Sequence, residues 1–326
     1  MTAASFNKRT LLCLGAFALT LSGAVSNGHV PVQVAMTTPI AQPASLVEAA
    51  QLDMEAEAER LANVEPAAGV PAAAAVAITI KSATAMSLHQ QFTMRGYTLD
   101  AVRNEGEAVP RVFLAQLPRD LPALQSPDFR KAVFIKMMLP LVLAENERIR
   151  QDRARALEIR GLIEDGVPTT PEQLAWLSDL AGRYGVDDGN LDELFRRVDA
   201  VPPALALAQA ALETGWGTSS VAQRGHAMFG QMVFKIDANG TEATVKTFSN
   251  LGAAVEAYAY NLNTHRAYAD FRKVRAHMRS SGRVIDGYEL SVHLVRYSER
   301  KLDYVQAVRG LIRVNNLQPF DRARLG

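Results

Sequence analysis

The sequence predicts a mainly α-helical domain with a small β-hairpin beside a cleft, preceded by a secretory signal peptide and a low-complexity stalk. From Asp128 onward the chain is almost continuously helix-forming and amphipathic. Within this region, residues 202–217 form one helix that is apolar on nearly every side, which predicts that it is buried at the centre. Asn239-Gly240 lies between two strand-like runs and predicts the hairpin.

Composition and charge exclude several classes of protein. The 326 residues contain 35 Lys and Arg against 34 Asp and Glu, which gives a formal net charge of +1. A near-neutral chain has no general attraction to nucleic acid or to an anionic membrane, so we expect no nucleic-acid partner. With 48% hydrophobic and 21% charged residues, the chain is unlike a disordered, collagenous or multi-span membrane protein.

The first residues form the three parts of a secretory signal peptide. Lys8 and Arg9 precede an apolar run at residues 11–21, and Ser22-Gly23-Ala24 supplies a small-x-small cleavage site. The apolar run is well short of the ~20 residues that span a bilayer, so we favour cleavage after residue 24 over an uncleaved anchor. Cleavage removes Cys13, the only cysteine. The mature protein is therefore expected to be secreted, with the periplasm as its compartment, and to lack a stable membrane span.

Residues 25–126 are predicted to be a low-complexity, largely disordered stalk. Up to about residue 85 this segment is rich in Ala, Val and Pro, and its apolar surface is too small to offset the ordering entropy of the backbone. Residues 45–61 favour one short helix with capping-box spacing at its start. Prolines recur closely between residues 110 and 127, so residues 87–126 are expected either to wrap a core or to stay loose.

Residues 127–326 are predicted to form one helical domain. Pro140 interrupts the first amphipathic run, and we expect a break or kink there. The crowded charges of residues 145–155 are expected on a solvated helix face with i,i+4 pairs. Thr170 and Pro171 mark the start of the next helix, as N-cap and first helical residue.

One carboxylate in the apolar helix is the strongest functional signal. The helix begins at two prolines and ends at two closely spaced glycines, and Gln209 and Glu213 interrupt its apolar pattern on one face. A carboxylate is rarely buried without a partner or a purpose. The helix dipole disfavours an anion in the last turn, and Trp216 is close enough to desolvate Glu213. Both effects predict a raised pKa, as a general acid needs, whereas a salt bridge to Arg224 is the structural alternative.

The same stretch resembles a known enzyme family. Residues 211–219, ALETGWGTS, and Phe229-Gly230-Gln231 are similar to the signatures of bacterial peptidoglycan N-acetylglucosaminidases. The resemblance is strongest to the Bax-like branch of the flagellar and autolysin glucosaminidases, glycoside hydrolase family 73, in the lysozyme-like superfamily. Further blocks agree in order at residues 261–268, 297–300 and 315–317. The resemblance extends over residues 129–325 and implies a lysozyme-like α-helical fold.

The resemblance also implies an activity and a set of catalytic groups. It implies a peptidoglycan hydrolase that cleaves the β-1,4 bond after N-acetylglucosamine, with Glu213 as the catalytic acid and Tyr297 lining the cleft near the cleaved bond. A hairpin often supplies the second carboxylate in this family, which makes Glu242 the candidate and Asp237 the substitute. The acetamido oxygen of the substrate is the alternative nucleophile. The histidines show no HExxH-like spacing and no nucleotide-binding glycine pattern occurs, so no metal or cofactor is expected.

Several further side chains are candidates for contact with sugar. Tyr258, Asn261 and His265 share one helical face, where an aromatic ring and two polar groups suit sugar hydroxyls and acetamides. Roles in helix packing and core hydrogen bonding are the alternatives. The remaining candidates for substrate contact are Gln209, Trp216 and Phe229. Met232 stands where the Bax-like pattern has tryptophan, which puts glycan affinity in question more than the chemistry.

Two other functions stay open. A lytic transglycosylase shares the fold and a single catalytic Glu, but it closes the muramyl 6-OH onto the anomeric carbon. A non-catalytic cell-wall-binding scaffold is favoured if Met232 has disabled the site. Peptidoglycan glycan strands are the expected partner, and the sequence does not indicate an oligomeric state.

Overall fold

The computed structural model describes residues 10–14, 78–81, 83–187, 189–237 and 240–326, with only the backbone described for residues 10–14 and 234–242. In these residues the chain is mainly helical, as the sequence predicts. The helices are α1 (Ala85–Met94), α2 (Pro127–Glu164), α3 (Pro171–Arg183), α4 (Leu191–Arg197), α5 (Pro203–Thr214), α6 (Ser220–Gly225), α7 (Leu251–Thr264), α8 (Ala269–Ser280), α9 (Gly287–Leu290) and α10 (Leu302–Val314).

Two small sheets accompany the helices. The strands are β1 (Thr10–Leu14), β2 (Ile78–Ile80), β3 (Val112–Leu114), β4 (Gln231–Asp237) and β5 (Gly240–Val245). β4 and β5 form the antiparallel hairpin that the Asn-Gly pair predicts, with Met232 opposite Val245. β1 lies antiparallel to the other edge of β4, and β2 and β3 form a separate parallel pair.

α5 lies at the centre of the helical domain, as its apolar sequence predicts. Every residue from Pro203 to Ala211 is buried, and the helix packs against α2, α9 and α10. The helix ends where Gly215 adopts a left-handed φ of 58°, and the next two residues also have positive φ. This reversal of the chain makes Thr214, the residue after Glu213, the last residue of the helix, as a left-handed glycine at a helix C-terminus commonly does.

We expected a break or a kink at Pro140, and α2 continues through this residue without a break. The helix is 38 residues long, and a proline in its interior removes one backbone hydrogen bond at a cost of about 3 kcal/mol. All residues from Val133 to Leu143 are buried, and nearly all of them are apolar. Burial of this segment offsets the cost of the proline, so the local rule is overridden by packing.

The side-chain pairs in the charged part of α2 and the start of α3 agree with the sequence, but the expected solvated face is wrong in part, because the Glu145 and Asp152 side chains are only 11% and 18% exposed. Arg148 pairs with Glu145 at 2.7 Å and with Asp152 at 3.3 Å, at i,i+3 and i,i+4 spacing. Thr170 caps α3 through a reciprocal capping box with Gln173. Local signals therefore determine these two features.

The folded region begins well before residue 127, which corrects the predicted stalk from residue 78 onward, whereas residues 25–77 lie outside the described residues. α1 and β3 pack against α2, and Leu88, Phe92 and Leu121 are fully buried. The Asp120 carboxylate accepts hydrogen bonds from the backbone N–H of Ala85 at 3.0 and 3.2 Å. The apolar residues of this region are spread over elements too short to produce a periodic pattern. Of the two expectations for residues 87–126, the structure supports the one in which they wrap a core.

Two other predictions concern residues without a described structure. The predicted helix at residues 45–61 lies outside the described residues, as does the signal peptide apart from β1. No helix in the described part of the chain combines the length and apolar character needed to cross a membrane.

Replacement of Asp120 with alanine tests how firmly residues 83–126 are joined to the domain. Ala85 is fully buried, so its N–H would lose its partner without access to water. We expect the free energy of unfolding to fall by about 1 to 2 kcal/mol in a denaturant titration. Glu107→Ala, at an exposed position, is the matched control and should change stability by less than about 0.5 kcal/mol. Equal effects of the two substitutions would contradict a structural role for Asp120.

Candidate active site

Glu213 lies half-buried in the last turn of α5, where its carboxyl group rests against Gly230. A Cβ atom added to Gly230 would lie 2.6 Å from Oε2 and 3.1 Å from Cδ of Glu213. In the part of the chain that the structure describes, no ion pair joins Glu213 to Arg224. The salt-bridge alternative for Glu213 therefore has no support in the geometry.

Burial raises the pKa of Glu213 from its ordinary 4.5 to about 7. The Tyr304 side chain and the positive charge of Arg300 oppose this effect, but desolvation is the larger influence. The direction agrees with the expectation from the sequence. A carboxyl group with a pKa near 7 is partly protonated at neutral pH and can donate a proton, as a general acid must.

A closed ring of contacts lies behind Glu213, and we call its members the aromatic cluster: Gln209, Phe229, Tyr258, Tyr297 and Tyr304. Phe229 stacks on Tyr258 with ring centroids 4.0 Å apart, and Tyr297 stacks on Tyr304 at 5.3 Å. Gln209 joins Tyr258 and Tyr304 through hydrogen bonds of 2.7 and 2.9 Å. The Tyr297 hydroxyl closes the ring by donating to the backbone carbonyl of Phe229 at 2.9 Å.

Burial of the aromatic cluster corrects the predicted sugar contacts of Gln209, Phe229 and Tyr258. These side chains are at most 1% exposed, and the polar groups of Gln209 and Tyr258 are engaged with each other. Tyr297 is also 1% exposed, and its hydroxyl proton is donated to Phe229. In this structure the four side chains form a wall that supports Glu213 and the Phe229-Gly230 segment, without presenting a surface to solvent.

Trp216 packs against α2 on the other side of the helix end. Its ring meets Phe134 edge-on at a centroid distance of 5.7 Å, and the Lys131 ammonium lies 5.8 Å from the indole. The next residue, Gly217, has a φ of 80° and lies so near Leu121 that an added Cβ would be 2.8 Å from it. Trp216 thus has a packing role, with part of the ring still exposed at the surface.

Asn261 and His265 lie on α7 beyond the aromatic cluster. Both are half-buried, and His265 ends the helix while its Nδ1 accepts a hydrogen bond from the backbone N–H of Ala267 at 3.2 Å. The His265 ring lies 5.7 Å from Tyr268, which in turn lies 6.0 Å from Tyr297. Their contact with substrate stays a prediction.

The second catalytic carboxylate also stays a prediction. The Glu242 backbone lies on β5 opposite Lys235, but the side chains of Glu242 and Asp237 are outside the description. Among described side chains, Arg300 is the charged group that acts on Glu213. No cluster of three or more His, Cys, Asp or Glu able to hold a metal occurs among the described residues.

Three residues beside Glu213 were not selected from the sequence. Tyr304 lies on the buried face of the amphipathic α10, where a tyrosine is expected in any core. Arg300 lies in the block at residues 297–300, for which the resemblance implies a role for Tyr297 alone. Gly230 has a φ of 64°, and its close approach to Glu213 depends on the folded chain. In the sequence, the only indication of a role for Gly230 was its place in the Phe229-Gly230 signature.

Substitution of Gly230 by alanine should displace the Glu213 carboxyl group. The added Cβ would overlap Oε2, and the left-handed φ of 64° costs an L-residue about 1 to 2 kcal/mol. Because a shift of about 1 Å at a catalytic group can cost 10²-fold in rate, we expect glycan cleavage to fall by about 10²-fold. Rate assays with a denaturant titration measure both effects.

Gly310 provides the matched control for this substitution. It lies in α10, and no atom lies within 4 Å of a Cβ added there. Gly310→Ala should leave activity unchanged and raise the free energy of unfolding by up to about 1 kcal/mol. Full activity of Gly230→Ala would show that the carboxyl group need not occupy its present position.

The chain is similar to known proteins. Residues 191–317 match the Glucosaminidase family model, described as mannosyl-glycoprotein endo-beta-N-acetylglucosaminidase. The chain is 32% identical over 196 residues to Protein bax of Escherichia coli (strain K12), which covers 57% of this chain and 69% of the relative. No solved structure matches the chain. The extent and identity of the match to this relative, together with the family model that spans Glu213 and the aromatic cluster, establish that the chain belongs to the glucosaminidase family.

Proposed function

We propose that this protein is a peptidoglycan hydrolase that cleaves the β-1,4 bond after N-acetylglucosamine, with Glu213 as the general acid. The observation that carries the proposal is the half-buried Glu213 carboxyl group, whose pKa is raised to about 7 by burial. Membership of the glucosaminidase family supports a glycan substrate. The near-neutral charge of the chain favours recognition by hydrogen bonding and stacking over long-range attraction.

In the proposed reaction, protonated Glu213 donates its proton to the glycosidic oxygen as the bond to the anomeric carbon breaks. The leaving sugar departs with that proton as a hydroxyl group, and positive charge develops on the anomeric carbon. The oxygen of a water molecule then bonds to the anomeric carbon. The proton that this water releases passes to the second catalytic group or returns to Glu213, so one water is consumed and no proton is gained or lost. We propose Glu242, on β5, as the second catalytic group, which acts on the opposite face of the sugar. Asp237 or the substrate acetamido oxygen is the alternative.

The proposal includes export of the protein. The basic residues Lys8 and Arg9, the apolar run and the small residues before position 25 support cleavage by a signal peptidase. Peptidoglycan lies outside the cytoplasmic membrane, so a hydrolase of this substrate must reach it. N-terminal sequencing of protein recovered from the periplasm should begin at residue 25, and an intact N-terminus in the cytoplasmic fraction would contradict the export proposal.

Mass spectrometry of digested peptidoglycan tests the activity. Purified sacculi are incubated with the protein, and the soluble fragments are reduced with borohydride before analysis. We expect fragments that end in reduced N-acetylglucosamine. The same digest with Glu213→Gln serves as the matched control and should release almost no fragments.

The digest also separates the proposed function from its competitors. Anhydromuramyl ends would identify a lytic transglycosylase, and reduced N-acetylmuramic acid ends would identify cleavage of the other glycosidic bond. Intact glycan that still sediments with the protein would identify a binding scaffold. Equal release by wild type and Glu213→Gln would show that Glu213 is not the acid.

A further inference from the structure

A cavity of about 670 Å³ lies at the start of α5, at the opposite end of this helix from Glu213. Asp321 lines the cavity, and its Oδ1 accepts a hydrogen bond from the backbone N–H of Ala204 at 2.8 Å. Glu213 lies nine residues further along the helix, which corresponds to about 14 Å at a rise of about 1.5 Å per residue. Sites for small molecules have volumes of about 300 to 1,000 Å³, so the cavity is a candidate binding site separate from the acid.

Hydrogen bonds between distant parts of the chain hold the walls of the cavity. The Arg103 guanidinium donates to the backbone carbonyls of Asn315 and Asn316, in each case at 3.1 Å. On the same loop, Nε2 of Gln318 donates to Oδ2 of Asp286 at 3.0 Å. A ligand that enters a site with fixed walls does not have to order them, so less of its binding free energy is lost.

One wall of the cavity is a π-helical turn at Ala101–Glu105. Such turns are rare and occur frequently at functional sites. The region that matches the glucosaminidase family model begins at residue 191, so this wall lies outside it, whereas the loop at residues 316–323 begins within it. The cavity therefore combines residues from inside and outside the part of the chain that the family model describes.

Groups of opposite charge line the cavity without neutralising each other. Arg322, Glu105 and Glu107 are exposed, and within the described part of the chain their side chains have no hydrogen bond and no ion pair. The other two acidic groups that line the cavity, Asp286 and Asp321, already accept hydrogen bonds from the protein. One guanidinium and two carboxylates are therefore available to a ligand that has both an anionic and a cationic group.

We propose that this cavity binds a peptide stem of peptidoglycan, with Arg322 binding a carboxylate of the peptide and Glu105 and Glu107 binding the ammonium group of its diamino acid. A guanidinium binds a carboxylate through two parallel hydrogen bonds, and an ammonium group donates to carboxylate oxygens. The identity of the ligand rests on the proposed function, because peptidoglycan has stems with both charges. The site would hold a stem of the strand whose glycan occupies the cleft.

A neutral glycan fits the cavity less well than a charged peptide. Its hydroxyl and acetamide groups form hydrogen bonds, but they do not neutralise the charges of Arg322, Glu105 and Glu107. Among the described residues that line the cavity none is aromatic, so no ring is available to stack on a sugar.

Calorimetric titration of the protein with a synthetic stem peptide, acetyl-alanyl-γ-D-glutamyl-lysine, tests the proposal. The acetyl group replaces the link to the glycan, so the lysine ammonium is the only cationic group of the peptide. We expect this peptide to bind. Amidation of its carboxylates, or acetylation of its lysine side chain, should each weaken binding about tenfold, because each removes a hydrogen-bonded charge pair.

Substitutions at exposed positions of the cavity locate the bound peptide. Arg322→Gln should weaken binding of the unmodified peptide about tenfold but leave binding of the amidated peptide unchanged, since both changes remove the same contact. Glu105→Gln combined with Glu107→Gln should have the same relation to the peptide with acetylated lysine. Arg324→Gln, at an exposed position two residues from Arg322, is the matched control and should bind like wild type.

Three outcomes would overturn the proposal. The first is no binding of the peptide, and the second is binding that the substitutions in the cavity leave unchanged. The third is binding of an N-acetylglucosamine tetramer that Arg322→Gln weakens, which would assign the cavity to glycan. The titrations require no cleavage, so they are independent of the digest of sacculi. If the peptide binds as expected but wild type releases no fragments, the peptide site stands and the proposed function fails.

Discussion

Replacement of Glu213 with glutamine is expected to lower the rate of glycan cleavage by about 10²- to 10⁴-fold, the usual contribution of a general acid. Glutamine keeps the shape of the side chain and can still accept a hydrogen bond from Tyr304, but it has no acidic proton to donate. Release of labelled fragments from peptidoglycan measures the rate. Glu158→Gln, at an exposed position on α2, is the matched control and should retain full activity. Retention of more than about a tenth of the activity by Glu213→Gln would assign the acid elsewhere.

The same substitution should stabilise the protein at alkaline pH, which verifies that the lost activity does not arise from unfolding. The folded-state pKa of Glu213 is about 7, above its ordinary 4.5, so folding favours the protonated form. The stability that this preference contributes is complete below about pH 4.5 and is lost as the pH rises through about 7. We therefore expect Glu213→Gln to match wild type at pH 4.5 and to exceed it by up to about 3 kcal/mol at pH 8. Denaturant titrations at the two pH values would contradict the burial of Glu213 if the variants stayed equal at both.

Features set by local chemistry could be predicted from the sequence. The start of α5 follows from its prolines, and its end follows from the left-handed φ of Gly215. The Asn239-Gly240 pair predicted the β4–β5 hairpin because this dipeptide is typical of tight connections between antiparallel strands. Glu213 was identified because a carboxylate in an apolar helix requires an explanation wherever the rest of the chain lies.

Features that depend on distant contacts could not be predicted. β2 and β3 are three residues each and pair in parallel across more than 30 residues, so neither has a pattern of its own. At Pro140, the helix continues because burial of the surrounding segment outweighs the cost of a proline in the helix interior. The candidate sugar contacts Gln209 and Tyr258 were chosen by helical face, but a shared face does not reveal whether it meets solvent or other side chains.

The aromatic cluster also depends on distant contacts and could not be predicted from the sequence. Tyr304 is 91 residues from Glu213 in the chain, and its position on α10 resembles that of any core aromatic. Its contact with Glu213 is visible only once α5 and α10 are packed together. A sequence can therefore nominate an acid, whereas the buried groups around that acid are identified only in the fold.

Arg275 is the clearest case of a residue whose sequence context misleads. It lies on the strongly basic α8, where an arginine is expected at the surface, yet it is fully buried. Its guanidinium donates to the backbone carbonyls of Asp199 and Ala200 at 3.1 Å, to that of Arg196 at 3.0 Å and to the Asn263 side chain at 2.7 Å. The residues on either side of Asp199 form the connection between α4 and α5, so Arg275 fixes the entry to the central helix.

Replacement of Arg275 with methionine is expected to lower the free energy of unfolding by about 3 to 5 kcal/mol, as for removal of one member of a buried ion pair. Methionine fills a similar length but donates no hydrogen bond, so the Ala200 carbonyl and the Asn263 oxygen would lose the donor that Arg275 supplies, whereas the Asp199 carbonyl would keep its hydrogen bond from Nδ2 of Asn263 at 3.0 Å. Asp199 would keep Arg279, whose Nε lies 2.8 Å from Oδ2, and would lose the charge of Arg275. A denaturant titration near pH 7 measures the loss.

Lys273→Met on the same helix isolates the effect of burial. Lys273 pairs with Asp270 at 3.4 Å, but their side chains are 67% and 79% exposed, so its removal should cost less than about 0.5 kcal/mol. If the two variants were equally stable, the hydrogen bonds of Arg275 would contribute nothing beyond those of a surface cation. Because Arg275 anchors the start of α5 and not its end, molecules of Arg275→Met that remain folded should retain the Glu213 pKa and the cleavage rate of wild type. A changed pKa would mean instead that the α4–α5 connection controls the position of the acid.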